Sequence, residues 1–177
     1  MMYTSGNMEK NAALSCAELM CAAARTAPKA CGIDLIETIV LDGADKDRLT
    51  STMRKIGTDT NRAFFSRDAG NLDASHCVVI IGAGVTARGL NCGLCGAENC
   101  ASARRSGITC AMAANDLGIA VGSAAATAMN HRVDNRILFS AGLAALEMKV
   151  FTEDIKMCFC IGLATAGKNI FFDRSAL

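Results

Sequence analysis

The 177-residue sequence carries little net charge and offers no long apolar run, and these two absences narrow what the protein can do. Lysine and arginine number 18 against 17 aspartates and glutamates, and no long block of one sign occurs. Nothing in this balance attracts nucleic acid or an anionic membrane surface. The apolar stretch at residues 117–129 contains two glycines and is too short to cross a hydrocarbon layer about 30 Å thick. We therefore expect neither nucleic acid nor membrane as a partner.

A secretory signal and an evident catalytic set are also missing. Glu18 interrupts the alanine-rich N-terminal segment, and Glu9 and Lys10 precede it, which favours an ordinary helix over a signal peptide. We therefore expect a soluble, cytoplasmic protein. No general acid–base pair or nucleophilic triad is visible, so the sequence argues against a hydrolase or a transferase.

A single globular domain, residues 1–177, is the expected organisation. The chain has about the length of one domain, and 51% of its residues are hydrophobic and available for a core. No linker, repeat or low-complexity segment interrupts it. The small side chains of residues 122–129 allow close approach of a neighbouring backbone, either in the core or in the interface of a homodimer.

Hydrophobic periodicity predicts helices and strands along the whole chain. The predicted helices cover residues 7–27 before Pro28, about 49–56, a segment that runs from 108 and stops at Gly118, and about 133–148. The predicted strands cover residues 33–41, 77–81 and 157–163. This order indicates the α+β (or α/β) class, with a mixed or antiparallel sheet sandwiched by helices rather than repeated βαβ units.

Four of the ten cysteines fall in a loop at residues 89–110, directly after a predicted central strand. They are spaced C-x2-C-x4-C-x9-C at Cys92, Cys95, Cys100 and Cys110. Two cysteines separated by two residues can turn both sulfurs toward one point, and Gly93 and Gly96 permit the positive φ angles of such a turn. A predicted helix starts at Cys100, where the positive end of the peptide dipoles favours thiolate. The pattern predicts a metal centre.

A 4Fe-4S cluster is the preferred occupant, because iron–sulfur clusters are held by four cysteine thiolates. Zinc also accepts four thiolates, but structural zinc sites usually draw two C-x2-C pairs from separate segments, and only one pair exists here. A third interpretation has no metal and treats the cysteines as small buried apolar residues. This interpretation is strongest for Cys110. If Cys110 is not a ligand, the fourth position could be taken by Cys77, Cys158, Cys160 or an exogenous group. Cys158 and Cys160 share a strand face, and as a pair they are expected in the core.

Two further segments contain candidate ligand-binding residues. Residues 82–87 satisfy the loose dinucleotide pattern G-x-G-x-x-A, but the cysteine loop follows where a helix should receive the pyrophosphate, so these glycines are expected to shape the loop. His131, Arg132 and Arg136 form a polar string in an apolar half of the chain. On a helix the two arginines would share a face suited to an anion, and His131 could move a proton. The favoured alternative is the solvated first turn of a helix capped by Asn130.

Two resemblances concern the cysteine loop. The segment GLNCGLCGAENC resembles the cysteine signature of small 4Fe-4S domains in electron-transfer and corrinoid-linked proteins, in which the fourth cysteine lies further downstream than Cys110. Over nearly its full length the chain resembles an uncharacterised prokaryotic family described as containing a ferredoxin domain, through GLNCGLCG, CAMAANDLGIAVGSA, NHRVDNRILFSAG and GKNIFFDR. This family implies an iron–sulfur cluster. It leads us to expect a redox protein that exchanges electrons with a partner protein or a small molecule, and an oxidoreductase if the protein is an enzyme.

A further resemblance is to the flavin-dependent nitroreductase fold, through residues 24–49, 117–123 and 160–168. That resemblance implies a homodimer with FMN at the subunit interface. Such proteins bind the flavin phosphate partly through an N-terminal Arg-x-Ser-x-Arg pattern, which residues 1–11 lack. The sequence thus leaves two alternatives to the iron–sulfur protein: a non-catalytic binding module with a structural zinc site, and a nitroreductase-like flavoprotein.

Overall fold

A four-stranded sheet forms the centre of the computed structural model, which describes residues 1–151 and 154–172. The strands are β1 (Ile36–Leu41), β2 (Cys77–Ala83), β3 (Asp134–Leu138) and β4 (Met157–Ala164). They lie in the order β1-β2-β4-β3, and each neighbouring pair is antiparallel. Residues 152–153 and 173–177, which include the end of the GKNIFFDR segment and of the predicted domain, lie outside the described residues.

Helices cover both faces of the sheet. They are α1 (Ser5–Thr26), α2 (Gly43–Asp59), α3 (Phe64–Asp73), the short α4 (Cys100–Arg105), α5 (Ala111–Asn130) and α6 (Phe139–Glu147). Because side chains alternate along a strand, Val79 and Ile81 of β2 pack with α1 and α5, whereas Val78 and Ile80 pack with α2, α3 and α6. The fold is therefore a helix–sheet–helix sandwich of the α+β class, as predicted.

Small residues bring α1 and α5 close together. Ala17 of α1 and Ala124 and Ala128 of α5 are fully buried in the same core cluster. The hydroxyl of Ser123 donates a hydrogen bond to the carbonyl oxygen of Ala23 across the pair, at 3.1 Å. The alanine-rich segment predicted for close backbone approach thus serves the core.

Gly118 does not end a helix, contrary to the prediction. Helix α5 continues through Gly118 to Asn130, and its buried face runs past it through Leu117, Val121 and Ala124. A glycine inside a helix costs only about 1 kcal/mol relative to alanine, so the packing of this face outweighs it.

Residues 133–148 do not form one helix. Their first part is the edge strand β3, which pairs with β4 from Asp134 opposite Ala164 to Leu138 opposite Cys160, and α6 starts only at Phe139. The ladder of backbone hydrogen bonds with β4 overrides the helical pattern. The predicted cap at Asn130 is therefore wrong, because this residue ends α5.

The other predicted elements are confirmed, although α2 (Gly43–Asp59) is about twice as long as the predicted helix at residues 49–56. Helix α1 ends at Thr26, ahead of Pro28, and strands β1, β2 and β4 overlap the three predicted strands. In the described part of the chain, no helix is both long and apolar enough to cross a membrane.

Candidate metal centre

The four candidate ligands lie between β2 and α5. Cys92 is exposed, Cys95 and Cys100 are half-buried, and Cys110 is buried. Cys100 is the first residue of α4, as predicted, and Cys110 directly precedes α5. The N-terminal end of a helix carries partial positive charge, so the position of Cys110 ahead of the long helix α5 favours a thiolate.

A tight turn separates the first two cysteines. Gly93 and Gly96 adopt the predicted positive φ angles, 73° and 77°, and the Gly96 N–H donates a hydrogen bond to the Gly93 carbonyl oxygen at 2.9 Å. An alanine at either position would be strained by its backbone angle. Cys92 directly precedes this turn, and Cys95 lies within it.

Asn91 and Cys100 tie the two ends of this turn together. The Asn91 N–H donates to Cys100 Sγ at 3.3 Å, and the Cys100 N–H donates to Asn91 Oδ1 at 2.8 Å. Asn99 caps α4 by accepting a hydrogen bond from the Ser102 N–H at 2.9 Å. The segment that holds Cys92 and Cys95 is thereby closed at the third cysteine.

Cys110, the last residue of the loop, is held against the chain that leaves β2. Its N–H donates to the Val85 carbonyl oxygen at 3.2 Å. Burial by itself raises the pKa of the Cys110 thiol. The nearby N–H groups of Ala113, Arg88 and Met112 act in the opposite direction, and so does the positive charge of Arg88. Together they lower the pKa of Cys110 below the usual thiol value, which suits a metal ligand.

The alternatives for the fourth ligand are core residues. Cys77 is fully buried, and burial raises its pKa to about 12. Cys158 and Cys160 share one face of β4, as predicted, and pack in the cluster that contains α6. Burial, followed by contact with Cys158, raises the pKa of Cys160. Neither Cys77 nor Cys160 favours the thiolate form that a metal requires.

A buried ion pair lies beneath the loop. Arg88 Nη2 and Nε lie 3.0 Å and 3.2 Å from Asp116 Oδ2, and the two side chains are only 2% and 1% exposed. Asp116 Oδ1 accepts the Ala30 N–H at 2.9 Å. Sequence reasoning missed this pair. The available signal was that Arg88 and Asp116 are each the lone charged residue in an otherwise uncharged stretch, at residues 77–97 and 110–131.

His131, Arg132 and Arg136 lie at the opposite end of α5 from Cys110. A helix of 20 residues is about 30 Å long, so this string and the cysteines form separate regions. Arg132 lies in a turn with φ 59°, and Arg136 lies in β3, so the predicted common helical face is wrong. Arg136 donates to the Phe171 carbonyl oxygen at 2.8 Å and lies over the Phe172 ring.

A cavity of about 580 Å³ adjoins the chain that leads into the loop. Gly84 and Thr86, which follow β2, line it together with Leu35 and Ile36 of the β1 region. Arg25 also lines it. None of the four candidate cysteines is among its described lining residues.

The four thiols match an iron–sulfur or zinc site in donor chemistry, and an N–H already bonds to one of the sulfurs. Among residues 1–151 and 154–172, however, no three His, Cys, Asp or Glu side chains lie close enough together to hold a metal ion. The convergence of Cys92, Cys95, Cys100 and Cys110 on one metal therefore stays a prediction.

Sequence comparison finds relatives without an assigned reaction. The model of a family described as "Uncharacterized protein containing a ferredoxin domain" matches residues 106–174, a range that includes Cys110. An uncharacterized protein of Archaeoglobus fulgidus is 34% identical over 166 residues, which cover 89% of either chain.

Structure comparison finds a shared fold. A nitroreductase with bound FMN from Desulfitobacterium hafniense matches with a TM-score of 0.60 and 13% identity, over 95% of this chain and 81% of that one. Nitroreductase A from Vibrio parahaemolyticus matches with a TM-score of 0.55 and 11% identity, over 88% of this chain but only 59% of that one. The fold is thus nitroreductase-like, as the resemblance predicted, and at such identities the likeness extends to the fold alone.

Proposed function

The chain belongs to the family of uncharacterized proteins that contain a ferredoxin domain, and from this membership we propose that it is an iron–sulfur protein that transfers single electrons. The proposed 4Fe-4S cluster is held by the thiolates of Cys92, Cys95, Cys100 and Cys110. Its electrons go to or come from a redox partner protein or a small molecule. When bound, the cluster supplies the one-electron centre that the protein side chains lack.

The contact between Asn91 and Cys100 carries the proposal. It holds Cys100 Sγ 3.3 Å from the backbone nitrogen of Asn91, the residue before Cys92. Two of the proposed ligands therefore come from segments already in contact. Hydrogen bonds to ligand sulfurs also help to set the potential of a cluster, so the Asn91 N–H serves a second purpose.

The loop has freedom to close around a cluster. Residues 84–99 form no helix or strand, and a β-carbon at Gly93 or Gly96 would meet nothing within 4 Å. Cys92 is exposed and Cys95 and Cys100 are half-buried, so none of these three side chains is packed inside the core.

Anaerobic purification followed by iron, sulfide and zinc analysis and electron paramagnetic resonance tests the proposal. We expect brown protein with stoichiometric iron and sulfide and a reversible one-electron signal. Cys92→Ser and Cys95→Ser should lose the cluster, whereas Cys21→Ser, which changes a half-buried thiol of α1, should keep it. Stoichiometric zinc without iron would contradict the proposal.

Zinc gives the second candidate, a non-catalytic module in which the same four thiols hold a structural metal. This function predicts that chelators unfold the loop and that the metal takes up no electrons. A reversible one-electron titration of the metal centre would rule it out.

The FMN-bound nitroreductase of similar fold favours a third candidate, a flavoprotein. The N-terminus weakens it, since residues 1–11 contain no arginine and Thr4 instead caps α1 through Asn7. A flavoprotein would be yellow, with about one FMN per chain. A colourless preparation that takes up no added FMN would exclude it.

We also propose a homodimer. Ile119 and Met129 of α5 and Leu19 of α1 are exposed apolar residues on the same helical layer, and burying them against a second copy would be favourable. Light scattering of the purified protein should give twice the mass of the chain, and a monomer mass would contradict this state.

A further inference from the structure

We propose that the ion pair of Arg88 and Asp116 positions the cysteine loop for metal binding. This inference rests on the proposed iron–sulfur function. Neither residue is a ligand in it, and both act on the cysteines through the backbone segments that they hold.

Arg88 uses all three guanidinium nitrogens. Nη2 and Nε donate to Asp116 Oδ2 at 3.0 Å and 3.2 Å, and Nη1 donates to the Thr86 carbonyl oxygen at 3.3 Å. The first two contacts reach across to α5, and the third returns to the chain that leaves β2. The chain that enters the cysteine loop is therefore bonded to α5.

Asp116 joins a third segment to the same point. Its Oδ1 accepts the Ala30 N–H at 2.9 Å, and the neighbouring Cys31 Sγ lies 4.0 Å from the Arg88 carbonyl oxygen. The short 3-10 helix at Ala30–Gly32, the loop and α5 thus meet at one carboxylate.

Two backbone contacts flank the pair. Arg104 Nη2 of α4 donates to the Ala87 carbonyl oxygen at 2.9 Å, and the Cys110 N–H donates to the Val85 carbonyl oxygen at 3.2 Å. Arg88 lies shortly before Cys92 in the chain, and Asp116 follows Cys110 by less than two turns of α5. The ion pair therefore links the chain just before the first ligand to the helix just after the last one.

Stability of the fold is a poor explanation for this pair. Removing two charges from water costs free energy, and apolar residues of similar volume often replace a buried ion pair without loss of stability. The contacts of the pair join the chain before Cys92, the segment at Ala30 and helix α5, so holding the loop in place is the role that the geometry supports.

The test compares full-length wild type with the double variant Arg88→Met/Asp116→Asn. The amide that replaces the Asp116 carboxylate keeps an oxygen that can accept the Ala30 N–H, so the fold should survive with both charges removed. Asp68→Asn is the matched control, because Asp68 is also a buried carboxylate, paired with Arg67 and Ser140 on the other face of the sheet. Circular dichroism and thermal unfolding verify that each variant folds.

We expect the double variant to retain iron about tenfold more weakly than wild type, as is typical when residues behind metal ligands are changed. Asp68→Asn should match wild type in iron retention. In the metal-free chains, the amides of Asn91, Cys100 and Cys110 should exchange hydrogen faster only in the double variant.

A double variant with wild-type iron retention and hydrogen exchange would overturn the inference. Wild-type protein that binds no iron would instead contradict the proposed function. In that case the exchange of the metal-free chains still decides whether Arg88 and Asp116 position the loop.

Discussion

Gly142 of α6 packs so closely against Cys158 of β4 that a β-carbon at Gly142 would overlap the Cys158 carbonyl oxygen. The Cys158 thiol also donates to the Gly142 carbonyl oxygen at 3.4 Å. We expect Gly142→Ala to lower the free energy of unfolding by about 3 kcal/mol, because strand and helix must move apart. Urea unfolding measures this change.

Gly118→Ala is the matched control for Gly142→Ala. Gly118 lies inside α5 with nothing within 4 Å of an added β-carbon, so alanine should stabilise the protein by about 0.5–1 kcal/mol. Equal unfolding midpoints for the two variants would contradict the packing of α6 on β4.

Lys46 closes the end of α3 from the neighbouring helix α2. Its buried ammonium donates to the carbonyl oxygens of Leu72, Asp73 and Ser75 at 2.9, 3.0 and 2.8 Å. We expect Lys46→Met to cost about 3 kcal/mol, because it removes the ammonium donor from these carbonyl groups, although the Leu72 carbonyl oxygen still accepts the Ser75 N–H. Lys55→Met, in the exposed part of the same helix, should change stability by less than about 0.5 kcal/mol in the same denaturant experiment.

Asp34 should make stability depend on pH. Burial raises its pKa, but the hydrogen bonds from Arg25 and from the Ile36 N–H, with the charges of Lys29 and Arg25, bring the pKa below the ordinary 3.8. A carboxyl group whose pKa is lower in the folded state stabilises the fold above its unfolded pKa and loses that effect as pH falls through the folded pKa.

The free energies of unfolding of wild type and Asp34→Asn should therefore differ at neutral pH, and the difference should shrink below about pH 4. Arg25→Met should flatten the same part of the profile, since it removes the main partner of Asp34. A difference that grows on acidification would contradict this assignment.

Gly96 tests the turn between the first two cysteines. Its φ of 77° is unfavourable for alanine, although the space around it is open. Gly96→Ala should cost about 1 kcal/mol and lower the metal content, because the turn relaxes away from the shape that presents Cys95. Gly167→Ala is the control, since Gly167 is also open but lies outside the left-handed region; equal metal content in the two variants would count against the turn.

The sequence predicted those parts of the fold that local patterns determine. The apolar run of β2 predicted a buried strand, and Gly93 and Gly96 predicted positive φ angles that the structure has. The edge strand β3 was missed, because Asp134–Leu138 is short and polar and gains its structure only from pairing with β4.

Long-range contacts were beyond the reach of the sequence. Lys46 is a charged residue whose burial depends on helix ends far along the chain, and Arg88 meets Asp116 only because β2 delivers the loop beside α5. The cysteine spacing is a local pattern, so it could identify the candidate ligands. It could not predict whether they converge, because the place of Cys110 depends on how α5 packs.

The extended stretch after β2 has two sides with different tasks. Gly84 and Thr86 form part of the cavity wall, whereas the carbonyl groups of Val85 and Ala87 hold Cys110 and Arg104. The same few peptide units therefore line the cavity and hold the segment that carries Cys110.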